Sequence, residues 1–145
     1  MNTTDFLVNF RQMTKLHESI LKQICEQYRL SLIEATIISF LYNNPGKDTA
    51  GDIVELRMLS KGNVSHAVEL LIQKDLLKRT PDGDDRRKIH LSLMPAATAI
   101  TDKIAKAQDS LYTQLFQGLS DNDRKEFDRL NSLVAENAKN AMKKL

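Results

Sequence analysis

The feature that most constrains this 145-residue sequence is a single change of hydrophobic period. Up to Leu71, and again from Pro95 onward, apolar residues recur three and four positions apart, the spacing of one helix face. Between those stretches Ile89, Leu91 and Leu93 alternate with Lys88, His90 and Ser92, which is the period of a half-buried strand. Leu76-Leu77-Lys78-Arg79-Thr80 is a matching short strand, and Pro81-Asp82-Gly83-Asp84-Asp85 between the two is turn chemistry. With 5 Gly and 3 Pro in the whole chain, turn formers are too scarce for an all-β sandwich or barrel. The expected fold class is mainly α with one small β-hairpin.

Six helices are expected around that hairpin. Phe6, Phe10, Met13, Ile20, Ile24 and Tyr28, with Leu7, Leu16 and Leu21 beside them, predict an amphipathic first helix. At about 24 residues and 1.5 Å each it is about 36 Å long, and its stripe reaches past a small domain. Ser31 with Glu34, and Thr49 with Asp52, have capping-box spacing and open a second and a third helix. The second holds Ile33, Ile37, Ile38 and Leu41 and stops at Asn43-Asn44-Pro45-Gly46. Ser60 caps a fourth, with Val64, Ala67, Val68 and Leu71 inward. Pro95 suits the first turn of a fifth, carrying Ile100, Ile104, Ala107, Leu111 and Leu115. Ser120 with Asp123 opens a sixth, through Phe127, Leu130, Val134, Ala138 and Ala141. No linker or repeat interrupts this order, so residues 1–145 are expected to form one domain.

The net charge of +2 points by itself to no nucleic-acid partner, but its placement is informative. Residues 60–90 hold seven basic and five acidic groups, and Arg86-Arg87-Lys88 is the only run of three basic residues. The third and fourth helices, joined through Arg57-Met58-Leu59-Ser60, have the lengths of a helix-turn-helix. The fourth is polar where it begins: Ser60, Lys61, Asn63, Ser65 and His66 precede most of its apolar face. Helix-turn-helix proteins turn that end toward base edges, and a helix N-terminus attracts phosphate. Ser, Asn and Lys side chains carry the donors and acceptors that read a major groove. A basic hairpin directly behind such a unit can act as a wing, laying arginine into the narrow minor groove.

Ser60 to Glu69, then Leu71 and Leu76-Leu77-Lys78-Arg79, resemble the recognition helix and first wing strand of MarR-type regulators. Pro81-Asp82-Gly83-Asp84-Asp85-Arg86-Arg87, followed by Ile89 to Leu93 and Pro95, is similar to that family's wing. The resemblance covers nearly the whole chain, because the long flanking helices are in family order. It implies a homodimeric winged helix-turn-helix regulator that binds a pseudo-palindromic DNA operator, often represses, and is often released by a small-molecule effector. Residues 1–29 and 95–145 would be dimerisation helices, and 30–94 the winged helix-turn-helix. Asn63, Ser65 and His66 match positions that face bases or phosphates. Arg87 matches the minor-groove arginine and Asp85 its ionic support, with Arg86 and Lys88 on phosphates. His66 stands where the family usually has Arg, Asp75 and Met58 where Gly is common, and Met94 and Ala97 where Thr and Gly flank the proline. These departures bear on the operator sequence and leave the fold untouched.

Other functions find little support. The single cysteine, Cys25, admits no intramolecular disulfide and no cysteine-rich zinc site. It leaves open a redox-sensing regulator, although no basic residue stands within two positions of it. His17, His66 and His90 fall on three separate elements without ligand spacing, so no metal and no cofactor is expected. The chain lacks a phosphate-cradling glycine loop and any nucleophile–base motif, so no enzyme is expected. MNTTDFLVNF has neither the basic start nor the cleavage site of a signal peptide, and no apolar run spans a membrane. A cytoplasmic protein is expected. The alternative to DNA binding is a helical, dimeric interaction protein whose hairpin only completes the fold.

Overall fold

Side chains that complete helix ends set most element boundaries in the computed structural model, which describes residues 1–145. Helix α1 (Thr3–Tyr28) starts on Asn2, whose side chain accepts the Thr4 and Asp5 N–H groups. Helices α2 (Leu32–Asn43) and α3 (Ala50–Arg57) open with the two expected capping boxes, and α4 (Lys61–Gln73) starts on Ser60. Strands β1 (Leu77–Pro81) and β2 (Ile89–Leu93) form one antiparallel hairpin that pairs Leu77 with Leu93 and Thr80 with His90. A 3-10 turn (Pro95–Ala97) leads into α5 (Thr98–Leu115). Helix α6 (Asp121–Lys143) follows a third capping box, Ser120 with Asp123. The architecture is mainly α, with a helix-turn-helix, a two-stranded wing and long helices at both ends.

Two local expectations change. Pro95 opens a separate 3-10 turn rather than α5, because Met94 offers no side-chain cap. The turn closes instead through the Ala97 N–H on the Met94 carbonyl at 2.9 Å. In β2 only Leu91 is fully buried, and Ile89 is exposed. The helices that cover the hairpin pack against its base, so burial fades toward the turn.

The chain divides into two compact units, Met1–Gln108 and Asp109–Leu145. In the first, the core centres on α2, where every residue from Glu34 to Leu41 is buried. Leu21 and Ile24 of α1, Ile53 of α3, Val64, Val68 and Leu71 of α4, Leu77 and Leu91 of the hairpin, and Ile100 and Ile104 of α5 complete that core. The N-terminal part of α1 is left out: Leu7, Val8, Phe10 and Leu16 are exposed. In the second unit, Phe116 packs edge-on against Phe127 with centroids 5.3 Å apart, and the Arg124 guanidinium lies 4.8 Å over its ring. Helix α6 buries no residue, although Phe127, Leu130, Leu133 and Val134 recur at helical spacing.

A buried carboxylate ties three helix ends of the first unit together. Glu34 accepts the Ser31 N–H at 2.9 Å and the Lys74 ammonium at 2.8 Å, while Lys74 also donates to the Arg29 carbonyl. Burial alone would push the Glu34 carboxyl up, but Lys74 and Ser31 outweigh it and hold it below the usual carboxylate range. Its contribution to stability is therefore present above the ordinary carboxylate pKa and is lost as pH falls through the depressed one. Glu34→Ala is expected to cost about 2–3 kcal/mol in urea unfolding, the scale of charged hydrogen bonds lost from a buried site. Glu34→Gln, which keeps the cap acceptor, is expected to cost less; equal losses would show that the acceptor contributes nothing without the charge.

Candidate nucleic-acid interface

Burial decides which side chains α4 can offer. Val64, Ala67, Val68 and Leu71 are at most 3% exposed, so the helix is locked onto the core by one face. Lys61, Asn63, Ser65, His66 and Glu69 are consequently turned to solvent. The Ser60 hydroxyl accepts the Asn63 N–H at 3.2 Å and so acts as the N-cap, with its own O–H still able to donate. Lys61 makes no ion pair, and Glu69 is paired with Arg79 of β1.

The bends around α4 account for two departures noted in the sequence. Met58, in the turn between α3 and α4, and Asp75, after α4, have φ of 53° and 60°, the left-handed region. That conformation costs a side-chain-bearing residue about 1–2 kcal/mol, which explains why glycine suits both positions.

The wing is organised by two aspartates. One oxygen of Asp82 accepts the Asp84 and Asp85 N–H groups at 3.0 and 2.9 Å, fixing the turn. Asp85 accepts the Arg87 N–H at 3.0 Å and stands 3.8 Å from its guanidinium Nε. Asp85 is thus joined to Arg87 through backbone as much as charge. Arg87 remains 95% exposed at its side chain, and Arg86 and Lys88 are exposed without ion pairs. All nine expected residues lie at the surface of the first unit, in two sets, one at the start of α4 and one on the wing.

One residue of this region escaped the sequence reading. His90 was expected only as an outward member of an alternating strand. Its Nδ1 lies 2.7 Å from Asp48, just before α3, and its Nε2 lies 2.6 Å from Asp82. Asp82 and Asp48 together raise its pKa, and His90, with the Asp85 and Asp84 N–H groups, holds the Asp82 carboxyl far below its usual range. Asp82 stands eight residues from His90 across a foreseeable turn, whereas Asp48 is 42 residues away and had no local signal.

The remaining titratable candidates are packed. Cys25 is buried, with its thiol 3.5 Å from the Ser31 carbonyl, and burial pushes its pKa up. Burial, and then Arg57, lower that of His17. An open recess of about 320 Å³ lies where α2 meets the start of α5, lined by Tyr42, Leu93, Met94, Pro95, Thr98 and Thr101 among others. No helix is long and apolar enough to cross a membrane.

Residues 30–88, from the end of α1 to the wing, match the family model described as MarR family. No curated protein matches the chain. Among solved structures, Bordetella bronchiseptica BpsR, whose DNA binding is regulated by 6-hydroxynicotinic acid, is similar at 21% identity. That likeness covers 92% of this chain and 99% of that one, with a TM-score of 0.65. A MarR-family regulator from Silicibacter pomeroyi is 22% identical, covering 92% and 89%, with a TM-score of 0.74. A protein from Listeria monocytogenes assigned to the same family, and complexed with 26mer DNA, is 12% identical, covering 90% and 87%, with a TM-score of 0.78. At these identities the likeness is one of fold. The chain thus has the fold of these solved structures, and its residues 30–88 are similar to the MarR family.

Proposed function

We propose that the protein is a sequence-specific DNA-binding transcriptional regulator that works as a homodimer in the cytoplasm and represses from a pseudo-palindromic operator. It acts by binding, not catalysis. The observation that carries the reading is the pairing of a solvent-facing, polar helix start with a wing whose cations are exposed. Asn63, Ser65 and His66 would read bases or phosphates in the major groove, with Ser60 and Lys61 on the backbone. Arg87, steadied by Asp85, would enter the minor groove between phosphate contacts from Arg86 and Lys88. The Listeria neighbour's complex with DNA supports this reading.

Within a single domain spanning 1–145, residues 30–94 would serve DNA and residues 1–29 and 95–145 dimerisation. The exposed apolar rows in the N-terminal part of α1 and along α6 support this, since an apolar helix face left uncovered needs a partner surface. Regulation of DNA binding by a small molecule is carried over from BpsR, here as release of the operator, and the recess beside Tyr42 and Thr101 is the candidate seat.

Binding to duplexes selected from a random-sequence pool should weaken steeply with salt, at roughly −0.9 in log–log slope per phosphate contacted. Salt-independent, unselective binding would favour the interaction-protein alternative. Arg87→Ala is expected to weaken binding about tenfold or more with circular dichroism unchanged, and an unaltered affinity removes Arg87 from the interface. Asn63→Ala should change sequence preference, whereas Lys61→Ala should weaken all duplexes alike and reduce the salt slope by about 1. Sedimentation should find a dimer that Leu130→Glu with Val134→Glu dissociates; a wild-type monomer would overturn the assembly. Against a redox switch, Cys25 should react with a thiol reagent only after unfolding, and rapid labelling of the native chain would restore that alternative.

A further inference from the structure

We propose that His90 is the positioning residue of the wing: its doubly protonated ring joins Asp48 to Asp82, holds Arg86, Arg87 and Lys88 in their DNA-binding arrangement, and loosens that arrangement when it loses a proton. This rests on the DNA-binding reading above and adds to it a residue that touches no DNA.

The geometry requires the charged ring. Ionised carboxylates only accept hydrogen bonds, and both ring nitrogens face one, at 2.7 Å to Asp48 and 2.6 Å to Asp82. Imidazolium donates to both at once, and these lengths are those of charge-assisted bonds. A neutral ring keeps one donor and turns a bare lone pair toward the other carboxylate. The carboxylates sit at different ring nitrogens, and no group of three such side chains converges as a metal centre would.

The clamp lies on an unbroken series of contacts from the helix-turn-helix to the wing arginine. Asp48 precedes the Thr49 cap of α3, and its backbone carbonyl accepts the Leu91 N–H at 2.8 Å, so it is fixed to both α3 and β2. His90 bridges from there to Asp82. The second oxygen of Asp82 holds the Asp84 and Asp85 N–H groups, and Asp85 holds Arg87. Beyond Pro81 and Ile89, the backbone closes this tip only through the Asp82–Lys88 and Lys88–Asp85 bonds.

No cation competes for the two carboxylates, since neither forms an ion pair with lysine or arginine. The charged groups on the elements packed against β2 are mostly engaged elsewhere. On β1, Arg79 is paired with Glu69, leaving Lys78; on α2, Glu34 holds Lys74. On α3, Asp52 closes the Thr49 capping box, leaving Glu55 and Arg57. The groups that face the ring are therefore Asp82 and Asp48. They raise the pKa of His90 above its ordinary value of about 6.5. The stabilisation from the clamp is complete below that ordinary value and disappears as pH rises through the raised one.

The test uses the full chain and the tightest duplex that the wild type selects from a random-sequence pool at pH 6. Fluorescence anisotropy at fixed ionic strength then follows affinity from pH 6 to pH 9. The wild type is expected to lose about fivefold or more, the lower end of coupling between linked sites. His90→Gln should bind more weakly than the wild type at low pH and converge with it at high pH. His90→Arg, permanently charged, should keep more of the low-pH affinity at high pH. Because His66 is present in every variant, the difference between wild type and His90→Gln belongs to His90. Imidazole NMR of the free chain should give a His90 pKa above 6.5, lowered by Asp82→Asn; circular dichroism checks that each variant folds. A wild-type to His90→Gln difference that stays constant with pH, or a ring titrating at or below 6.5, overturns the clamp alone. A pool that yields no bound duplex overturns the DNA-binding reading together with the clamp's role.

Discussion

A helix buried on nearly every side must satisfy its polar groups from within the protein, and α2 is that helix. Its buried run from Glu34 to Leu41 includes Glu34, Thr36 and Ser39, and none is left without a partner. Thr36 donates to the Leu32 carbonyl, Ser39 accepts from the side chains of Asn43 and Gln108, and Glu34 takes Ser31 and Lys74. An unmatched polar group here would cost several times what a surface ion pair supplies. The end of α1, the end of α4 and Gln108 of α5 are thereby tied to α2 by hydrogen bonds as well as by packing.

That rigid centre leaves the outer surfaces free of packing duties. Because α4 is gripped by Val64, Ala67, Val68 and Leu71, its polar side chains need make no contribution to the core. The wing is the opposite case, a two-stranded ribbon whose outer half has little apolar cover. Its order comes from aspartates: Asp82 gathers the turn amides, Asp85 gathers Arg87, and His90 links the assembly to Asp48. A region built on polar contacts can respond to solution conditions in a way that a packed core cannot.

Much of this was legible in the sequence because it depends on neighbours along the chain. Capping boxes span three residues, so Ser31–Glu34, Thr49–Asp52 and Ser120–Asp123 could be read directly, and each formed. The surface placement of Asn63, Ser65 and His66 followed from helical spacing, and that of Arg86, Arg87 and Lys88 from turn chemistry. The left-handed residues Met58 and Asp75 were harder, since neither is glycine; only the resemblance marked those positions. Ile89 was misplaced because strand alternation says which residues share a face, without saying whether anything covers it.

The sequence by itself determined the order of elements, the helix starts and the exposed cationic turn, since each arises within a few residues where local sterics and hydrogen bonding decide. Tertiary structure alone decided which half of each stripe found a core. Leu21 and Ile24 are buried while Leu7 and Phe10 on the same helix are exposed. It also decided the partners of the lone charged groups, joining Glu34 to Lys74 across 40 residues and His90 to Asp48 across 42. Such contacts have no periodicity to reveal them: they exist because folding excludes water from the space between two distant segments, and a carboxylate placed there must find a donor.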